Sequence, residues 1–135
     1  MMTKISHVTL LVHDQQEALA WYTDKLGFEV KSNDPFPGSS GFFWVTVSPP
    51  EQPDLEIVLQ PPAWGPEGDA EGRAAMVGKY PGFVLASTDC RQDYEDLKEK
   101  GVHFASPPED LPWGVSALFV DLYGYIHNLV EVKMG

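Results

Sequence analysis

Four positions in this sequence combine polar or aromatic chemistry with a local setting that could use it. His7 lies inside the run Lys4–Val12 (KISHVTLLV), Glu56 inside Leu55–Gln60 (LEIVLQ), Cys90 directly after Asp89, and Trp113 between Pro112 and Gly114. A histidine in such a run reads either as a hydrogen-bonded strand residue or as a ligating imidazole. Glu56 is costly to bury alone, so it must either pair with His7 or face water. Cys90 falls at a helix N-terminus, where the helix dipole favours a thiolate, but no companion histidine can be identified, and it reads as a first-turn residue. It is the only cysteine, which excludes an internal disulfide and a cysteine-rich zinc cluster. Phe42 and Trp44 share one face of an extended stretch, where they serve either as core or as pocket wall. Trp113, flanked by proline and glycine, is the least core-like aromatic and the best binding candidate.

The elements that must position these residues follow from patterning. Lys4–Val12 is β-branched-rich and too short for a helix, so a strand is expected. Asp14 with Glu17 three residues later forms a capping-box pattern. Apolar residues at Ala18, Leu19, Trp21, Tyr22 and Leu26 then keep helical spacing up to Gly27. Strands are expected at Phe28–Lys31, Gly41–Ser48 and Leu55–Gln60, with turn chemistry at Asn33-Asp34-Pro35 and Pro37–Ser40. Residues 61–80 read as a linker, or as a lid, with a short helix around Ala70–Lys79. A second round follows. A strand is expected at Gly82–Thr88 and a helix from Asp89 to Gly101. Further strands are expected at Val102–Ala105, Val115–Asp121 and Ile126–Lys133, with a turn-rich loop from Ser106 to Gly114. Asp14 to Asp89 is an offset of 75 and Gly27 to Gly101 an offset of 74. That near-constant shift predicts an internal duplication of one βαβββ unit, residues 1–60 and 81–135. Tyr22, Tyr94 and Asp93 fall on the two helices and are expected to be structural.

Composition narrows the partners. The chain has 135 residues, 43% hydrophobic and 21% charged, with a net charge of −11. That length suits one domain, or two small modules sharing a core. The acidic balance argues against nucleic acid, whose phosphates need a basic face. No apolar run approaches the ~20 residues of a membrane span, and no apolar leader follows the N-terminal Met-Met-Thr-Lys, so a cytoplasmic location is expected.

The segment HVTLLVHDQQEALAWYTDKLGFEV resembles the opening module of the glyoxalase/bleomycin-resistance/extradiol-dioxygenase (vicinal oxygen chelate) superfamily. DLYGYIHNLVEV resembles its closing element, where an Asp-Pro-x-Gly-Asn turn leads into the last strand. Asp121 and Gly124 keep that turn, whereas Leu122 and Tyr125 depart from it. PPEDLPWGVSALFVD is similar to the loop before it in many short members. The resemblance implies a single domain over residues 1–135 with an α+β, glyoxalase-like fold. Its two tandem βαβββ modules would have curved mixed sheets enclosing a cleft, in a homodimer.

Metal-dependent members of the superfamily place one ligand on the first and last strand of each module. Carried across by resemblance, those positions fall on His7, Glu56, Phe83 and Asn128. A slip of two residues would replace Glu56 by Gln60. Phenylalanine cannot coordinate, and asparagine is a poor transition-metal ligand. A one-residue bulge would turn His127 inward and give a set of His7, Glu56 and His127. The expectation is therefore either no cofactor or a divalent Zn, Ni, Mn or Fe ion. The resemblance favours a protein that binds a small organic molecule without a complete metal site, through Phe42, Trp44, Gln60, Phe83, Trp113 and Asn128. The alternative is a divalent-metal-dependent lyase, isomerase or dioxygenase.

Overall fold

A computed structural model describes residues 1–38, 41–66, 68–79 and 82–133. The chain divides into two compact units, Met1–Val77 and Gly78–Gly135. The first unit contains β1 (His7–Leu11), α1 (Gln15–Leu26), β2 (Glu29–Pro35), β3 (Phe43–Ser48), β4 (Glu56–Gln60) and α2 (Ala70–Met76). The second contains β5 (Val84–Ala86), α3 (Cys90–Glu99), β6 (His103–Leu111), β7 (Gly114–Val120) and β8 (Ile126–Val132). The class is α+β, with one open four-stranded mixed sheet in each unit. Strand order is β1-β4-β3-β2 in the first and β5-β8-β7-β6 in the second. In both, the opening strand runs parallel to the closing one and the other pairs are antiparallel. The duplicated βαβββ topology expected from the cap-helix-glycine repeat is thus present twice. No helix among the described residues is long and apolar enough to cross a membrane.

The two major helices begin on the aspartates their sequence marks; α1 also ends on its marked Gly27, whereas α3 is capped by Lys100, one residue before Gly101. Asp14 is extended and accepts from the Glu17 backbone N–H at 3.0 Å, and Asp89 accepts from Gln92 N–H at 3.1 Å. Gly27 closes α1 at φ 72°, a left-handed conformation that glycine adopts without the strain of a Cβ. Ala18, Leu19 and Tyr22 of α1 are buried, as are Leu10, Val45, Val47, Ile57 and Leu59, which occupy the matching alternate positions of the sheet. Gln15 fastens the helix to the sheet. Its amide nitrogen donates to Phe43 O at 2.7 Å and Leu59 O at 2.8 Å, while its oxygen accepts from Phe43 N–H at 3.0 Å. In the second unit the residue after the cap is Cys90, whose thiol donates only one bond to the sheet, to Leu129 O at 3.6 Å. There the Glu131 carboxylate of β8 accepts from Cys90 N–H at 2.8 Å.

Two strands run longer than the sequence suggests. β2 continues through Asn33-Asp34-Pro35, where a turn is expected, and β6 takes in Ser106–Leu111, expected as loop. Both are edge strands, so the prolines of β6 and Pro35 need not donate to a neighbour on their outer side. Register shifts at Val30/Ser32, Phe104/Ser106 and Ser106/Glu109 absorb the mismatch. Leu111 pairs with Gly114, so Trp113 stands at a two-residue hairpin tip with Pro112, 43% exposed, and not at the end of a long loop. The expected helix near Ala70 is α2, and it packs against β1.

Candidate functional site

The face of the first sheet turned away from α1 is built by strand alternation. His7 pairs with Glu56 and Leu11 with Gln60 across β1 and β4, while Thr46 pairs with Val58 across β3 and β4. His7, Trp44, Thr46, Glu56 and Gln60 therefore project from one face. Thr46 and Val58 are buried and form its floor. The Thr46 hydroxyl donates to Glu56 Oε1 at 2.6 Å, and Glu56 Oε2 lies 3.6 Å from His7 Nε2. His7 Nδ1 lies 2.8 Å from Ser6 Oγ. Glu56 thus has the partners that its position in an apolar strand demands, both of them polar side chains.

Aromatic rings continue the face. The His7 ring lies 6.0 Å from that of Trp44, which lies 6.4 Å from Phe36. Phe36 lies 4.9 Å from Trp64, whose ring meets Phe42 edge-on at 6.2 Å. Phe42 and Trp44, paired by sequence, are joined here through Phe36 and Trp64, which the sequence reading missed. The signal was available, since Trp64 lies between Pro62 and Pro66 and next to Gly65, the same setting that singled out Trp113. Gln60 does not present a free amide to this face: its nitrogen donates to Trp64 O at 3.0 Å and holds the loop in place.

The second unit corrects two expectations. Its opening and closing strands pair Val84 with Asn128, the relation that His7 and Glu56 have in the first unit. The position carried across to Phe83 therefore moves by one residue, to Val84. Phe83 instead stacks on His127, with centroids 5.3 Å apart and planes 2° from parallel, and its backbone N–H donates to His127 Nδ1 at 2.8 Å. β8 pairs with β7 without a break from Ile126 to Val132, so no bulge turns His127 over. His127 is fully buried on the helix side, with Nε2 3.7 Å from Asp121 Oδ2. The bulge on which the set of His7, Glu56 and His127 depends is absent, and unbroken alternation puts His127 on the opposite face of its strand from Asn128. Asn128 lies on the face away from α3, and its Oδ1 accepts from the Ser116 hydroxyl at 2.7 Å.

These residues do not fit the metal centre of the metal-dependent members. A divalent ion needs three or four converging nitrogen, oxygen or sulfur donors. The four strand positions carry His7, Glu56, Val84 and Asn128: an imidazole and a carboxylate on one unit, an alkyl group and a neutral amide on the other. Among the described residues, no three His, Cys, Asp or Glu side chains gather as a metal-ligand set. Cys90 is buried, and burial, with Glu131 and Asp93 nearby, raises its thiol above the ordinary range and disfavours the thiolate.

Comparison with known proteins agrees with this architecture. YurT of Bacillus subtilis (strain 168) is 33% identical over 129 residues, covering 95% of this chain and 98% of YurT. The crystal structure of UcmS2 superposes with a TM-score of 0.84 at 36% identity, covering 96% of this chain and 98% of that one. TnmS3, described as an antibiotic binding protein from Streptomyces sp. CB03234, superposes with a TM-score of 0.79 at 26% identity over 98% of each chain. The family model for the Glyoxalase/Bleomycin resistance protein/Dioxygenase superfamily matches residues 4–132, and the chain belongs to that superfamily.

Proposed function

We propose that this protein binds a small, flat organic molecule on the aromatic face of its first unit and does so without a catalytic metal. The observation that carries the reading is the run of rings from Phe42 through Trp64, Phe36 and Trp44 to His7, where the row meets the Glu56–Thr46 pair. A row of tilted and edge-on rings offers aromatic surface to a planar ligand, and a carboxylate at the end of the row rewards a cation or a hydrogen-bond donor. The net charge of −11 favours the approach of a cation. The description of TnmS3 as an antibiotic-binding protein supports the same class of role. Trp113 and Asn128 stay in the proposal as the second unit's candidate contacts. The proposal also places the protein in the cytoplasm as a homodimer. Exposed Val84, Ile126 and Val132, at alternate positions on one face of the second sheet, support a protein partner for that face.

The test is a tryptophan-fluorescence titration with proflavine, a planar cationic dye. Saturable quenching that persists in EDTA and weakens in Trp44→Ala is expected. No saturation with any planar aromatic probe would overturn the reading. So would stoichiometric zinc, nickel, manganese or iron in protein purified without chelator and lost in His7→Ala. That result would favour the lyase, isomerase or dioxygenase alternative, for which the His7–Glu56 pair is the supporting feature.

A further inference from the structure

We infer that Arg73 is a positioning residue for the ligand face, holding Trp64 in place as a preorganised wall; the inference rests on the proposed binding role. The loop that carries Trp64 has no strand partner and runs through Pro61, Pro62 and Pro66, so its carbonyls cannot be satisfied by a ladder. Pro61 O accepts from the Trp64 backbone N–H at 3.2 Å, and side chains serve the carbonyls of Pro62, Trp64 and Pro66. Arg73 Nε donates to Pro62 O at 2.7 Å and Nη1 to Pro66 O at 3.2 Å, while Gln60 holds the Trp64 carbonyl between them. Asp69 Oδ2 stands 3.9 Å from Nη1. The Arg73 side chain is only 13% exposed although it lies on a surface helix with no buried residue, so its guanidinium is drawn into the loop.

Gly65 makes room for it. Its φ is +147°, and a Cβ there would fall 2.7 Å from Arg73 Cζ. Only glycine lets the planar fork lie against the loop backbone and reach carbonyls on both sides of Trp64. Lysine, a single-point donor, cannot span both. Trp64 is thereby fixed with its ring 4.9 Å from Phe36 and 6.2 Å from Phe42, and a wall fixed before binding adds affinity by removing the cost of ordering it.

The experiment uses full-length protein labelled with 5-fluorotryptophan, the Trp64 resonance being assigned by its loss in Trp64→Phe. In Arg73→Met the Trp64 line is expected to shift and broaden while the Trp21 line stays in place. Proflavine affinity is expected to fall about tenfold. Arg73→Lys should restore part of it, and Arg73→Met should have no further effect in a Trp64→Ala background. An unmoved Trp64 line, or an Arg73→Met loss that is undiminished in Trp64→Ala, would overturn the inference. Should proflavine fail to bind the unmodified protein, the binding reading fails and the fluorine line alone decides the positioning claim. Should Arg73→Met fail to fold, Arg73→Lys is read by the same criteria.

Discussion

His7 and Glu56 face each other across the parallel β1–β4 pair, with Nε2 and Oε2 3.6 Å apart, whereas the same register in the second unit brings together Val84 and Asn128. One unit carries a donor pair at this position and the other an alkyl group and a neutral amide. An imidazole and a carboxylate are two donors, one short of the three that a divalent ion requires from protein side chains.

Removing metal should therefore change nothing. Dialysis against EDTA is expected to leave both the thermal midpoint and the proflavine affinity where they were. A fall of several degrees on chelation, reversed by one added divalent ion, would restore a metal centre.

Glu56→Ala should cost about 1–3 kcal/mol in urea denaturation. The reason is Thr46: its hydroxyl is fully buried and would lose the acceptor it holds at 2.6 Å. His7→Ala, on a side chain 39% exposed, should stay within about 0.5 kcal/mol. Equal costs for the two would show that the His7–Glu56 contact, not the Thr46 bond, holds this corner together.

Gly82→Ala should destabilise the protein by roughly 2–5 kcal/mol, combining overpacking with a broken buried hydrogen bond. A Cβ at position 82 would fall 2.0 Å from His127 Nδ1, the atom that accepts from Phe83 N–H. Because Nδ1 accepts, the ring proton sits on Nε2, facing Asp121. A neutral result in chemical denaturation would mean that this histidine is not fixed by the strand entry.

How far all this could be read beforehand differs by residue. The caps at Asp14 and Asp89 and the glycine at 27 act within one turn of chain, so local sequence is enough to place both helices. The extended reach of β2 and β6 could not be read locally, because a proline is tolerated or not according to whether its strand is at an edge, which only the assembled sheet decides. The shift from Phe83 to Val84 has the same origin: a three-residue strand has too little alternation to fix its own register, and only pairing with β8 sets it. Trp64 and Phe36 lay in stretches read as linker and turn, where side chains meet through long-range packing that no periodicity records.

Alkaline pH should destabilise the fold, and two residues should carry the effect. The Cys90 thiol is raised by burial first and by Glu131 next, with Arg91 acting in the opposite sense. The Tyr125 phenol is raised by burial; a hydrogen bond with the Gly78 backbone pulls the other way, and Asp121 adds to the rise. Both groups keep their protons longer in the folded chain than in the unfolded one. Their contribution is therefore whole below the unfolded values, about 8.5 for cysteine and about 10 for tyrosine, and it drains away as pH rises through each folded value. Each group can steepen the decline by at most about 1.4 kcal/mol per pH unit. Unfolding free energy measured from pH 7 to 11 should accordingly fall above about pH 9. Cys90→Ala should flatten the first part of the fall and Tyr125→Phe the later part. A profile for Cys90→Ala that runs parallel to the parent throughout would show that the thiol meets the same surroundings in both states, and would overturn the burial argument for it.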